Sequence, residues 1–322
     1  MPQALQTVVI TAPVDQRYVD TLSQRFTEVD FRLVPSERAL ASMPEADAIV
    51  CWSLSDEELA AATRLQWVHR CAAGVEEFLT PAFRARDLIL TNSSGVHAAN
   101  ISEHALGMML AFARDFPMLA RAQAQHVWRQ QESIGRVFEL SGQTLLLIGY
   151  GHIGRALASR AKALGMRVIA VRRTVESEPD GVVERLSPVS DLVELLTEAD
   201  HVVNCLPHTR ATEGMIDAGM FRAMKPGAYY FNVGRGPTTV TADLVAALEQ
   251  GQLAGAGLDV VDPEPLPTDS PLWDMPNVFM TAHTAGATPH MWDRIFEIVE
   301  DNVARMLAGK PLRNVIDQEQ GY

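Results

Sequence analysis

The sequence predicts an α/β protein made of two doubly wound parallel-sheet domains, and three observations predict it. Short apolar runs alternate with helical stretches from the first residues onward, the pattern of parallel strands joined by crossover helices. A second such series opens at Thr144 with TLLLIG, well after the first has ended near Thr91. The 322 residues also exceed the ~250–300 at which a single core stops growing.

Taken in order, residues 5–12 read as a strand and 15–26 as an amphipathic helix. Strands at 31–34 and 48–52, a helix at 56–62 and strands at 67–71 and 89–91 follow, before the turn formers Asn92-Ser93-Ser94-Gly95. The stretch ISEHALGMMLAFAR, 101–114, is helical and apolar over most of its circumference, which predicts burial on nearly all sides. A second helix is expected at 119–129, after Pro117. From Thr144 six strands of one sheet are expected, in TLLLIG, RVIAV, HVVNCLP, AYYFNVG, GAGLDVV and NVFMTAH. Residues 289–307 are helical again. The simplest topology inserts a central domain, 98–288, into a domain built from 1–97 and 289–322.

Composition excludes several classes of function. With 27 basic against 40 acidic residues the formal charge is −13, so neither nucleic-acid phosphates nor an anionic membrane is an expected partner. No apolar run reaches the ~18 residues of a membrane span, and the first residues carry no basic leader. Cys51, Cys71 and Cys205 are odd in number and far apart, which predicts neither a disulfide framework nor a metal cluster, and points to the reducing cytoplasm.

The sharpest local motif is Gly149-Tyr150-Gly151-His152-Ile153-Gly154, set between an apolar strand and a helix. In that context Gly149 allows a tight turn, Gly151 a close approach of pyrophosphate to backbone, and Gly154 close helix–strand packing, with His152 and Ile153 opening the helix. Free amides at the helix start then face the phosphates. About 20 residues on, an acid would bond the adenosine ribose of NAD. This chain has Arg172-Arg173-Thr174 there, and its first acid is Glu176. Two guanidiniums and a hydroxyl suit a 2′-phosphate, so NADP(H) is the expected cofactor and NAD a weaker second one.

Three further residues stand past the carboxyl ends of strands in the same sheet, where open α/β sheets bind ligands. Arg235 lies in Asn232-Val233-Gly234-Arg235-Gly236, Glu264 follows GAGLDVVDP, and His283 ends NVFMTAH. Singly, each is a loop ion pair, a turn cap or a core histidine. Together, an arginine, a carboxylate and an imidazole suit reduction of a carbonyl beside a carboxylate.

The sequence resembles the D-isomer-specific 2-hydroxyacid dehydrogenases. The likeness runs almost unbroken from the glycine motif through CLPHT, MKPG, NVGRG, LAGAGLDVVDPEPLP, SPLW and TAHTAG, and more loosely through CAAGVE and NISEHALGMMLAFAR. It implies two Rossmann-like domains, with the nucleotide domain inserted in the substrate domain. It also implies that Arg235 grips the substrate carboxylate and carbonyl oxygen, that His283 is the acid–base residue, and that Glu264 is its partner. Gly74 and Val75 correspond to a loop whose amides hold the carboxylate, Asp259 to the anchor of the nicotinamide carboxamide, and Leu206, Pro207, Val233 and Gly234 to the cofactor side. Relatives dimerise through an arm containing the helix at 101–114, which implies a homodimer. Arg172, where many relatives carry an acid, is similar to the NADP-using glyoxylate and hydroxypyruvate reductases, so a small 2-keto or 2-hydroxy acid is the implied substrate. The alternative is a nucleotide-sensing corepressor-like binding protein on the same fold. Trp52 and Trp292 are candidate walls for the substrate side chain.

Overall fold

The computed structural model describes residues 5–175 and 181–318. By its contacts the chain forms two compact units, Met1–Val96 with Thr288–Tyr322, and His97–Ala287.

The first unit is a five-stranded sheet in the order β2-β1-β3-β4-β5, with every pairing parallel. Its strands are β1 (Thr7–Ile10), β2 (Asp30–Leu33), β3 (Ala48–Cys51), β4 (Trp67–Arg70) and β5 (Ile89–Asn92). Successive side chains of a strand point to opposite faces, so TVVI and AIVC fill two cores at once. Val8, Ile10, Val50 and Trp67 face the helices Gln16–Arg25 and Met291–Leu307, while Val9, Ile49, Val68 and Leu90 face Met43, Phe78 and Phe83. Local signals set the helix starts: the Asp15 carboxylate accepts from the amide of Arg17, and Ser55 with Glu58 forms a reciprocal capping box.

The second unit is a seven-stranded parallel sheet in the order β12-β11-β10-β9-β6-β7-β8. Its strands are β6 (Thr144–Ile148), β7 (Arg167–Arg172), β8 (Arg185–Pro188), β9 (His201–Asn204), β10 (Ala228–Asn232), β11 (Leu253–Leu258) and β12 (Val278–Met280). The chain runs outward from β6 to β8 and returns to β9 on the other side of β6. Loops diverge at that switch point and leave a crevice at the strand ends. Both sheets are thus doubly wound and parallel, as the sequence predicts.

Three expectations need correction. The sheet has seven strands, not six, because β8 is a short edge strand of sequence RLSP with only Ser187 buried. Its polar side chains and terminal proline read as loop, and edges tolerate both. The helix Ala98–Ala113 is not buried all round: Glu103, Gly107 and Leu110 form an exposed stripe at i, i+4 and i+7. The following helix is Phe116–Ala124 rather than 119–129, since Pro117 sits in its first turn, where a missing N–H costs nothing, and His126 adopts a left-handed φ of 57° that ends the run. Among the described residues, no helix is long and apolar enough to cross a membrane, and no cluster of metal-ligating side chains occurs.

Two buried histidines tie this architecture to pH. Ser93 Oγ donates to the Arg70 carbonyl at 3.1 Å, so it accepts from His69 Nε2, also at 3.1 Å. Thr91 Oγ1, which accepts from Trp67 Nε1 at 2.8 Å, lies 2.9 Å from His69 Nδ1 and donates to it. The ring is thereby held as one neutral tautomer. Burial pushes the His69 pKa down from 6.5 to about 3. Burial likewise takes His201, stacked on Tyr229, to about 4 against a small opposing effect of Asp200. The unfolded chain therefore binds these protons below pH 6.5 while the folded chain does not. Each histidine adds nothing above that pH and lowers stability as the pH falls toward 4, by up to ~1.4 kcal/mol per pH unit. Urea unfolding at pH 7 and pH 5 checks this. The loss between the two should shrink by about 2 kcal/mol in His69→Gln, and an unchanged loss would contradict a neutral buried His69.

Candidate active site

The candidate residues of the second unit lie on six loops at the carboxyl ends of its strands. After β6 the chain turns at Gly149, whose φ of 102° is open to glycine and strained for other residues. A Cβ on Gly154 would stand 2.3 Å from the Gly149 carbonyl oxygen, so the helix His152–Ala163 can pack this closely only with glycine there. A Cβ on Gly151 would meet nothing within 4 Å, and no side chain caps the helix. Its first amides and positive dipole end therefore face open space, a seat for an anion. His152 is exposed and Ile153 half-buried. Arg172 ends β7 half-buried, with Arg173 and Thr174 exposed after it, while Glu176 lies outside the described residues.

The next two loops are set by buried asparagines that the sequence reading missed. Asn204, the last residue of β9, accepts from the amide of Leu206 and donates to Tyr230 Oη and Thr238 Oγ1. Asn232, the last residue of β10, accepts from the amide of Gly234 and donates to the Arg235 carbonyl and to Thr239 Oγ1. Buried polar groups satisfied in this way fix one loop geometry. Their only signal in the sequence is an amide ending an apolar strand, in HVVN and FNVGRG. Leu206 is half-buried and Pro207 exposed, Val233 and Gly234 are buried, and the Arg235 side chain emerges to solvent with Nη1 on the Gly234 carbonyl at 2.8 Å. A Cβ on Gly236 would fall 1.8 Å from the Val261 carbonyl oxygen, so the arginine loop lies directly against the loop that bears Glu264.

The last two loops hold His283 and Glu264, the candidate acid–base pair. His283 Nδ1 lies 2.7 Å from Glu264 Oε2, and Glu264 Oε1 accepts from the amide of Val261 at 3.1 Å. A carboxylate can only accept, so Nδ1 carries a proton and Nε2 is the nitrogen left for chemistry. Both side chains remain partly exposed, 50% for His283 and 36% for Glu264. His283 has a left-handed φ of 53°, a conformation that costs a non-glycine residue about 1–2 kcal/mol. Asp259 imposes it. Its carboxylate accepts from Thr281 Oγ1 at 2.6 Å and from the amides of Thr284 and Ala285 at 2.9 and 3.1 Å, and its carbonyl accepts from the His283 amide at 2.8 Å. Asp259 is thus only 3% exposed and engaged by its own protein, a part that the resemblance did not suggest.

Gly74 and Val75 belong to the other unit, after β4, where Gly74 is half-buried and Val75 packs into the core. Trp52 and Trp292 meet there edge to face, with ring centroids 5.8 Å apart.

A family profile described as "D-isomer specific 2-hydroxyacid dehydrogenase, NAD binding domain" matches residues 106–285. The chain belongs to this family. Within the family it is similar to the glyoxylate reductase of Korarchaeum cryptofilum, 30% identical over 97% of this chain and 96% of that one. It is also similar to the D-3-phosphoglycerate dehydrogenase of Archaeoglobus fulgidus, 31% identical over 96% of this chain, but spans only 59% of that protein's length. Among solved structures, the NADPH-dependent glyoxylate/hydroxypyruvate reductase of Sinorhizobium meliloti, in complex with NADP and sulfate, superposes with a TM-score of 0.81 at 27% identity, covering 98% of this chain and all of that one. A nicotinamide dinucleotide is the cofactor of the family, and the open, uncapped glycine turn of this chain fits one.

Proposed function

We propose that this chain is an NADP(H)-dependent 2-keto acid reductase, interconverting a small 2-keto acid such as glyoxylate or hydroxypyruvate with its D-2-hydroxy acid. The observation that carries the reading is the Glu264–His283 pair, a proton-bearing imidazole oriented by a carboxylate beside the arginine loop. Arg235 holds the substrate carboxylate by a two-pronged contact and polarises the carbonyl oxygen. His283 delivers the Nε2 proton to that oxygen, and Glu264, holding Nδ1, stabilises the imidazolium and fixes the ring plane. The cofactor supplies the hydride, and the protein supplies orientation and charge. Gly149, Gly151 and Gly154 with the helix amides receive the pyrophosphate, Arg172, Arg173 and Thr174 the 2′-phosphate, and Leu206, Pro207, Val233 and Gly234 line the nucleotide's path. We assign Asp259 a hold on the loop of His283 in addition to its cofactor contact.

A homodimer is part of the proposal. Phe116, Trp128 and Ile134 are 56%, 89% and 58% exposed within residues 116–134, and large apolar side chains left this open favour a partner surface. Three unpaired cysteines fit a reducing cytoplasm.

Two measurements check the reading. The double variant Arg172→Ala/Arg173→Ala should raise the KM for NADPH about tenfold or more, the loss of charge-assisted hydrogen bonds of about 1.5–3 kcal/mol, and leave the KM for NADH nearly unchanged. Equal losses with both cofactors, or a wild type that prefers NADH, would refute the 2′-phosphate assignment. For the substrate, a 2-keto acid should be reduced far better than its methyl ester, and Arg235→Lys, a point charge in place of a fork, should lose both turnover and affinity for the acid while keeping cofactor affinity. Equal rates on acid and ester would make the activity general carbonyl reduction.

A further inference from the structure

The loop that carries His283 is held from two sides, and only one of them is the sheet. Asp259 grips residues 281–285 from the end of β11. The other side is the helix Ala98–Ala113. Asn100 Nδ2 donates to the Ala285 carbonyl at 2.7 Å, and His104 Nε2 lies 2.9 Å from Thr281 Oγ1. Asn100 and His104 are four residues apart, so they share one face of the helix and reach the two ends of the same loop.

Proton counting orders these contacts. Thr281 has one hydroxyl proton, and Asp259 Oδ1, only 2.6 Å away, can use it solely as an acceptor. Thr281 therefore accepts from His104, and His104 must carry its proton on Nε2. The chain His104 → Thr281 → Asp259 runs in one direction, and Asp259 in turn receives the amides of Thr284 and Ala285, the two residues that follow the left-handed turn at His283. The helix is a firm support, since Ala105, Met108 and Met109 are buried in the core that contains Leu147 and Phe231. The His104 side chain is 22% exposed, and its Nε2 also lies 3.7 Å from Asp259 Oδ1, so its polar edge is aimed at the carboxylate that shapes the loop.

We infer that Asn100 and His104 are positioning residues: they clamp the two ends of the loop so that His283 stays in the left-handed turn that aims its Nδ1 at Glu264. The inference rests on the reaction proposed above, and its test has an arm that does not need turnover. In the full-length protein, amide hydrogen exchange at Thr284 and Ala285 reads the hold on the loop. His104→Ala and Asn100→Ala should each speed that exchange about tenfold or more, and leave the β6 amides at wild-type rates. Each should lower kcat about 10–100-fold, with KM for the keto acid and for NADPH within about twofold, as for a misplaced acid–base group. His104→Gln, whose amide can still donate to Thr281, should restore both exchange and kcat. Unchanged exchange at Thr284 and Ala285 in both alanine variants would overturn the clamp, and faster exchange with unchanged kcat would overturn the positioning role. A wild type without turnover on any 2-keto acid would refute the proposed reaction instead, and the exchange result would still decide the clamp.

Discussion

One buried carboxylate shapes the candidate site of this chain. Leu258 and Met280 are partners in the parallel register of β11 and β12, so Asp259 and Thr281 leave the sheet side by side. Asp259 then takes a hydroxyl and two amides on its carboxylate and a third amide on its carbonyl. A group this buried costs several kcal/mol unless it is fully hydrogen-bonded, and those bonds can be made only if the chain turns back on itself at His283. The strained φ of the histidine follows from the satisfied carboxylate, and the histidine's aim at Glu264 follows from the turn.

The neighbouring loops are fixed by contact rather than by charge. The glycine between Arg235 and Pro237 lets the backbone after β10 touch the backbone after β11, and Asn204 and Asn232 bind the start of each loop to buried hydroxyls. The site thus stands on strand ends that are apolar and tightly packed, with polar atoms only where the strands stop. Rigid placement is what a proton transfer and a hydride transfer to one carbonyl require.

Much of this was legible in the residues alone. Every strand but β8, the glycine turn and the spacing of Arg235, Glu264 and His283 follow from local pattern, because apolar runs, turn glycines and strand-end polar residues act within a few positions of themselves. What stayed hidden is long-range. Asn204 and Asn232 look like ordinary loop residues until Thr238 and Thr239 are brought beneath them, and His104 looks like one polar residue in an apolar helix until Thr281, 177 positions away, is placed against it. The edge strand β8 was missed for the opposite reason, since with so little buried it carries almost no apolar signal.

The central claim is that the carboxylate of Glu264 makes His283 the proton donor of the reaction. The most direct measurement is the rate at which the Glu264→Gln variant reduces a saturating keto acid, since the substitution keeps the side chain's shape and removes its charge. A charge-assisted hydrogen bond is worth about 1.5–3 kcal/mol, so kcat should fall about 10–100-fold while the KM for the keto acid and for the cofactor hold within about twofold. A Glu264→Gln variant that turns over at the wild-type rate would contradict the account, and would leave Glu264 as a turn residue that merely touches His283.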